Sequence, residues 1–300
     1  METLESLSEM LQTTGDIQTI VRTMKALSAV SIRQYEEAEA AMSRYEEIVG
    51  LGLAALLRDR RGRGLPLPRT VAPGGAGALV VIGSDRGLCG RYNDVVTRHA
   101  AGRITDGTGV LAVIGARAAA RLEAAGHGVD RLMLLPGSVA GMTPLVQRVI
   151  VEIDRWTREA GVGRVQVVHN RREGRARAVP TERTLLPIPE SHLRGLLERG
   201  WPGPGLPFCR MEPGRLLSWL VRQHTFVVLY RALAEALASE HATRLAAMQS
   251  AERNIEERRQ DLTAVYRRKR QETITRELLD VVSGFEAVSA SHDDRHTDGS

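Results

Sequence analysis

A chain of 300 residues with 43% hydrophobic side chains holds enough apolar material for one sizeable core, while only 4% aromatics argues against a β-sandwich. The net charge of +5 permits acidic partners. The basic residues are interleaved with acids, however, as in Glu252-Arg253-Asn254-Ile255-Glu256-Glu257-Arg258-Arg259; that is a solvated helix face, with no zinc-finger spacing or stacking aromatics to indicate nucleic acid.

From residue 1 to about 58 there is no proline, and one long helix is expected. Met10, Ile17, Ile20, Met24 and Leu27 recur as a narrow coiled-coil seam rather than a broad apolar face. Residues 59–74, with Arg61-Gly62-Arg63-Gly64-Leu65-Pro66, read as a breaker-rich linker. Between 75 and 200 the pattern changes to short apolar runs alternating with helical stretches. Strands are expected at 78–82, 110–114, 132–135 and 165–168, with helices near 118–125 and 144–160 and an edge strand near 176–180 or 181–186. That alternation predicts a Rossmann-like α/β domain with a largely parallel sheet.

Residues 201–213, containing Pro202-Gly203-Pro204-Gly205-Leu206-Pro207, make a second linker that no helix can cross. A second proline-poor helix is expected over 214–288, on the order of 100 Å long at about 1.5 Å per residue. Met248, Ala251, Ile255, Leu262 and Val265 form its seam. The polar tail 289–300 is expected to be disordered. The predicted fold class is therefore α/β, with long N- and C-terminal helices forming an antiparallel coiled coil around an inserted sheet domain.

The chain starts on Met1-Glu2-Thr3-Leu4-Glu5, without a signal pattern, and no run of about eighteen apolar residues could span a membrane. Two cysteines, Cys89 and Cys209, are too few for a disulfide framework and suit a reducing compartment. A cytoplasmic protein without membrane insertion is expected.

The sharpest local motif follows the first strand: Ser84, Asp85, Arg86, Gly87, Leu88, Cys89 and Gly90. Such a loop could cradle phosphate on helix N–H groups, but it matches neither dinucleotide nor P-loop spacing. The competing reading is a tight structural turn with Asp85 and Arg86 pairing or capping. Cys89 could be a nucleophile only with a placed histidine, and no signature places His99 or His127; a small buried hydrophobe is the simpler role. His292 and His296 have metal-ligand spacing in a tail with no helix expected to hold them. No cofactor or metal is expected.

The motif 84–90 resembles the S-D-R-G-L-C-G motif of the γ subunits of F-type ATP synthases. Ala238 to Asn254 is similar to that family's A-S-E-H-A-x-R-x-x-A-M run, and Tyr266 to Leu278 to its Y-N-x-x-R-Q-x-x-I-T-x-E-L signature. Gln18 to Lys25 resembles its N-terminal helix, so the likeness spans most of the chain in order. The resemblance implies a central rotor shaft inside a ring of three α and three β subunits, with the α/β domain as a foot joining the ε subunit and the membrane ring of c subunits. It implies coupling of proton or sodium transport to ATP synthesis or hydrolysis at the cytoplasmic face of a bacterial inner membrane. Catalysis belongs to α and β, so no catalytic residue is expected here.

By the same resemblance, Arg270, Gln271 and Thr275 match positions that touch β loops, and Arg244 one near an acidic β loop. Met24 and Lys25 align with the N-terminal segment facing the ring, where the family usually has an acid in place of Lys25. Arg91-Tyr92 stands where the family has G-F, and Ala26 to Arg33 departs from M-V-A-A-S-K-M-R. These departures mark a divergent branch, such as the alternative bacterial form whose relatives move sodium ions. A Rossmann-like nucleotide-binding enzyme with helical extensions and a coiled-coil scaffold remain the competing readings.

Overall fold

The computed structural model describes residues 3–68, 75–199, 201, 203, 205 and 210–293. The chain divides into two compact units, one made of its two ends (to Met24 and from Met248) and one of Lys25–Ala247. Helix α1 spans Leu4–Gly62 and helix α6 spans Pro213–Asp293. The expected helix end near 58 is overrun, and Arg60 and Arg61 lie in the last turn, where cations complement the helix dipole. Helix α6 also runs past 288, so the expected disordered tail is helical through Asp293; residues 294–300 lie outside the described set.

In the unit of the chain ends, Gln18 Nε2 donates to Glu256 Oε2 at 2.8 Å and Arg22 Nε to Glu252 Oε1 at 3.1 Å. Partners that fall from 256 to 252 as positions rise from 18 to 22 make the two helices antiparallel. The register of the first seam differs from the one expected. Leu7, Gln18 and Val21 are buried on α1, whereas Ile17, Ile20 and Leu27 are 46%, 57% and 63% exposed. The reason is the polar seam residue Gln18, held by Glu256 and by Arg259, whose Nη1 donates to Gln18 Oε1. Hydrophobicity alone picks the adjacent stripe. On α6, Met248 and Leu262 are buried as expected, but Val265 is 41% exposed.

A polar group in a coiled-coil seam specifies register at a cost in stability. Gln18→Leu is therefore expected to raise the unfolding free energy by about 1 kcal/mol through added apolar burial, read as a higher melting temperature. A lower melting temperature would show that the Gln18 hydrogen bonds outweigh that burial.

In the unit Lys25–Ala247, strands β1 (Gly77–Ile82), β2 (Thr108–Ile114), β3 (Arg131–Met133), β4 (Arg164–Glu173) and β5 (Arg177–Leu186) form one sheet of order β3-β2-β1-β4-β5. All neighbours are parallel except the antiparallel pair β4–β5. The alternatives 176–180 and 181–186 merge into one strand, because Pro180 lies on the edge strand β5, where a missing N–H is tolerated.

Side chains alternate across β1. Ala78, Val80 and Ile82 pack with α4 (Met142–Glu159) and with α6 residues Leu229, Leu233 and Leu237. Leu79 and Val81 face α2 (Tyr92–Ala101) and α3 (Ala116–Ala124) through Val96 and Leu122. Both sheet faces are covered, so the strands read as unbroken apolar runs. A further cluster joins Leu53 and Leu57 of α1, Leu193 and Leu196 of α5 (Glu190–Glu198), and Leu220 of α6. Sequence patterning had not indicated α5.

Candidate functional site

The motif 84–90 is the turn between β1 and α2. Ser84, fully buried, donates its backbone N–H to Asn93 Oδ1 at 3.0 Å and accepts from Asn93 Nδ2 at 2.7 Å, while its hydroxyl donates to the Arg86 carbonyl at 2.8 Å. Asp85 Oδ1 accepts the Ala116 N–H at the start of α3, and Oδ2 accepts the Leu135 N–H just past β3, both at 2.8 Å. One carboxylate thus ties three strand ends together. It sits at the N-terminus of α3, not of α2, so the loop is braced by its own anion. Gly115, at φ +119, brings the next loop so close that a Cβ there would lie 2.8 Å from the Ser84 nitrogen.

Cys89 is buried, with Ser84 Oγ, Asn93 Nδ2 and the Arg86 carbonyl each 3.7 Å from its sulfur. Burial pushes its thiol pKa up, against the opposing Ser84 hydrogen bond, so the group stays a thiol rather than a nucleophilic thiolate. Cys209 lies outside the described residues.

Helix α6 covers this turn. Tyr92 OH donates to the Ala236 carbonyl at 2.9 Å. Arg244 is only 5% exposed; its Nη2 donates to Glu240 Oε1 at 2.6 Å and reaches the Gly87 carbonyl at 3.4 Å. Burial raises the pKa of the Glu240 carboxyl, with Arg244 opposing. The structure therefore brings Arg244 to the motif and buries it there. The sequence signal for that pairing was the i,i+4 spacing of Glu240 and Arg244; the link to Gly87 has none.

Other ties in this unit were missed because their partners are far apart in sequence. Arg231 of α6 donates to Glu39 Oε1 from Nε at 3.0 Å and from Nη2 at 2.6 Å, and also pairs with Glu46. Glu235 accepts from Arg183 at 2.7 Å and lies 2.8 Å from the fully buried His169. His241 stacks on Tyr35 with centroids 5.7 Å apart, and Tyr45 OH donates to Gln223 at 2.9 Å. The pairs of Tyr35 with His241, Glu39 with Arg231 and Tyr45 with Gln223 run in opposite chain directions along α1 and α6.

Of the remaining expected contact residues, Met24 and Lys25 are half-buried, while Arg270, Gln271 and Thr275 are exposed on α6. Gln271 and Thr275 share a helix face, and the Thr275 hydroxyl donates to the Gln271 carbonyl at 2.9 Å. Beyond them Ile274, Leu278, Leu279, Val281 and Val282 are exposed, by 46% to 70%. Among the described residues no cluster of His, Cys, Asp or Glu suits a metal ion, and no helix is long and apolar enough to cross a membrane.

The fold and its braced turn define a class: a sheet domain inserted in chain order between long terminal helices. The sequence profile of the ATP synthase family matches residues 3–288. The chain is 30% identical to the ATP synthase gamma chain of Granulibacter bethesdensis, covering 96% of this chain and 100% of that one. It is 28% identical to the gamma chain of Bdellovibrio bacteriovorus, over 96% and 99%. A chain from the Euglena gracilis mitochondrial ATP synthase, solved as OSCP, F1 and c-ring, shares the fold with TM-score 0.66 at 19% identity, covering 96% of this chain and 95% of that one. The chain belongs to the ATP synthase gamma-chain family.

Proposed function

We propose that this chain is the central rotor shaft of a rotary F-type ATP synthase or ATPase, with segments 1–58 and 214–288 as the shaft and 75–200 as the foot. It turns within a ring of three α and three β subunits, joins the ε subunit and the c ring at its foot, and couples ion flow to ATP synthesis or hydrolysis. It supplies no catalytic residue. It works peripherally, at the cytoplasmic face of a bacterial inner membrane.

The observation that carries this reading beyond family membership is the bare last part of α6. Exposed Ile274, Leu278, Leu279, Val281 and Val282 on one stretch of helix exceed what scattered surface apolar residues explain and mark a surface covered by partners. Arg270, Gln271 and Thr275 lie at the edge of that stretch and supply polar contacts of about 0–1 kcal/mol each, weak enough to be made and broken in every turn. Met24 and Lys25 face the same ring from α1.

Co-expression with the neighbouring ATPase subunits followed by native mass measurement should recover one copy of this chain per α₃β₃ hexamer. A hexamer recovered without it overturns the proposal. In that complex, Arg270→Ala combined with Gln271→Ala should leave assembly intact and reduce coupled ATP turnover by up to about thirtyfold, the equivalent of two such contacts. Unchanged turnover would make those residues a solvated face.

A further inference from the structure

We infer that Arg244 is a positioning residue that holds the turn 86–90 from beneath, so that its exposed tip, Leu88, moves as one piece with α6. This rests on the rotor reading above. Leu88 has φ 61, a left-handed backbone for a branched side chain, and is 62% exposed. Such a conformation persists only where its surroundings impose it. Ser84, Asn93 and Cys89 brace the turn on the sheet side. On the helix side the hydrogen bond runs from Arg244 to the Gly87 carbonyl, the residue just before Leu88.

The anchor is expensive for what it bonds. Glu240 and Arg244 are both 5% exposed, and Glu240 Oε2 and Arg244 Nε have no hydrogen-bond partner among the described residues. Apolar residues of similar size in place of a buried ion pair are commonly as stable or more so. Stability therefore gives no reason for this pair, whereas its bridging geometry does: one nitrogen of the rigid guanidinium, Nη2, reaches Glu240 on its own helix and the Gly87 carbonyl on the turn at once. A strained, exposed apolar tip held by a costly buried clamp is a part kept in place for use. Arg244 acts through the turn, without itself reaching a partner.

Two readouts test this. Hydrogen exchange of the full chain should rise about tenfold or more at amides 86–90 in Arg244→Met, with the strands unchanged. Arg244→Lys, which keeps the charge but lacks the planar, rigid guanidinium, should fall between Arg244→Met and wild type. Glu240→Gln with Arg244→Met removes the lone buried carboxylate and should give the same local loosening should the single variant fold poorly. In the assembled complex, Arg244→Met and Leu88→Ala should each lower ATP-coupled turnover, and the double variant should be no worse than the more impaired single one. Lower turnover with unchanged exchange would mean that Arg244 acts directly. Additive losses, or loosened exchange with normal turnover, would equally overturn the inference. If the wild-type chain fails to join the hexamer, the rotor reading falls, and the exchange arm still decides whether Arg244 holds the turn.

Discussion

Asp85→Ala is expected to lower the unfolding free energy by about 3–5 kcal/mol, the largest single-residue loss at the turn. Two backbone N–H groups, of Ala116 and Leu135, lose their acceptor together, and hydrogen bonds to a charged group contribute about 1.5–3 kcal/mol each. The start of α3 also loses the anion that complements its dipole. Asp85→Asn should cost roughly half as much, since one oxygen still accepts while the amide meets the second N–H as a second donor. Urea unfolding followed by tryptophan fluorescence measures both. A loss below about 1 kcal/mol for the alanine variant would mean that water satisfies the freed N–H groups and that the carboxylate is not the brace.

Acidification from pH 6.5 to 4 should remove stability on a comparable scale. Burial lowers the pKa of His224 and that of His241 to about 4 each. His224 packs on His192 with centroids 4.9 Å apart and lies near Glu46. His241 is flanked by Tyr35, Arg244 and Arg86. An unfolded histidine takes its proton near pH 6.5, so between pH 6.5 and 4 the unfolded chain binds protons that the folded chain refuses. Stability therefore falls as pH drops and is fully lost, for each group, below about pH 4. At about 1.4 kcal/mol per pH unit this is on the order of 3 kcal/mol per histidine.

His169 is lowered by burial as well, against Glu235. Glu235 is itself held low despite burial, by His169 and Arg183, so its contribution is lost as pH falls through its folded pKa. His224→Phe and His241→Phe should each flatten the stability-versus-pH curve between 6.5 and 4. Curves parallel to wild type for both variants would remove these two histidines as the source.

Much of the architecture was legible beforehand because it depends on local signals. Proline-free stretches gave the two long helices, and the apolar runs at 78–82 and 110–114 gave β1 and β2. The α/β class followed from the alternation of such runs with helices. The first seam was misread because Gln18, a polar residue, occupies it while Ile17 and Ile20 face outward; periodicity counts apolar residues and cannot see the Arg259 and Glu256 side chains that make a buried glutamine acceptable. The role of Asp85 was open between pairing and capping, and its two acceptor bonds reach 31 and 50 residues along the chain.

Arg244 shows most clearly where each level of description stops. Its place in the motif on α6, four residues after Glu240, is written in the sequence, as are the long helices and the family they belong to. Whether its guanidinium points outward or inward is decided by the packing of α6 over the turn that ends β1, 157 residues away. Helix and strand formation depend on side chains a few positions apart, and one sequence displays those. Register between distant helices, the bracing of a turn and the direction of a buried charge depend on which surfaces exclude water from one another, and that exists only once the chain has folded.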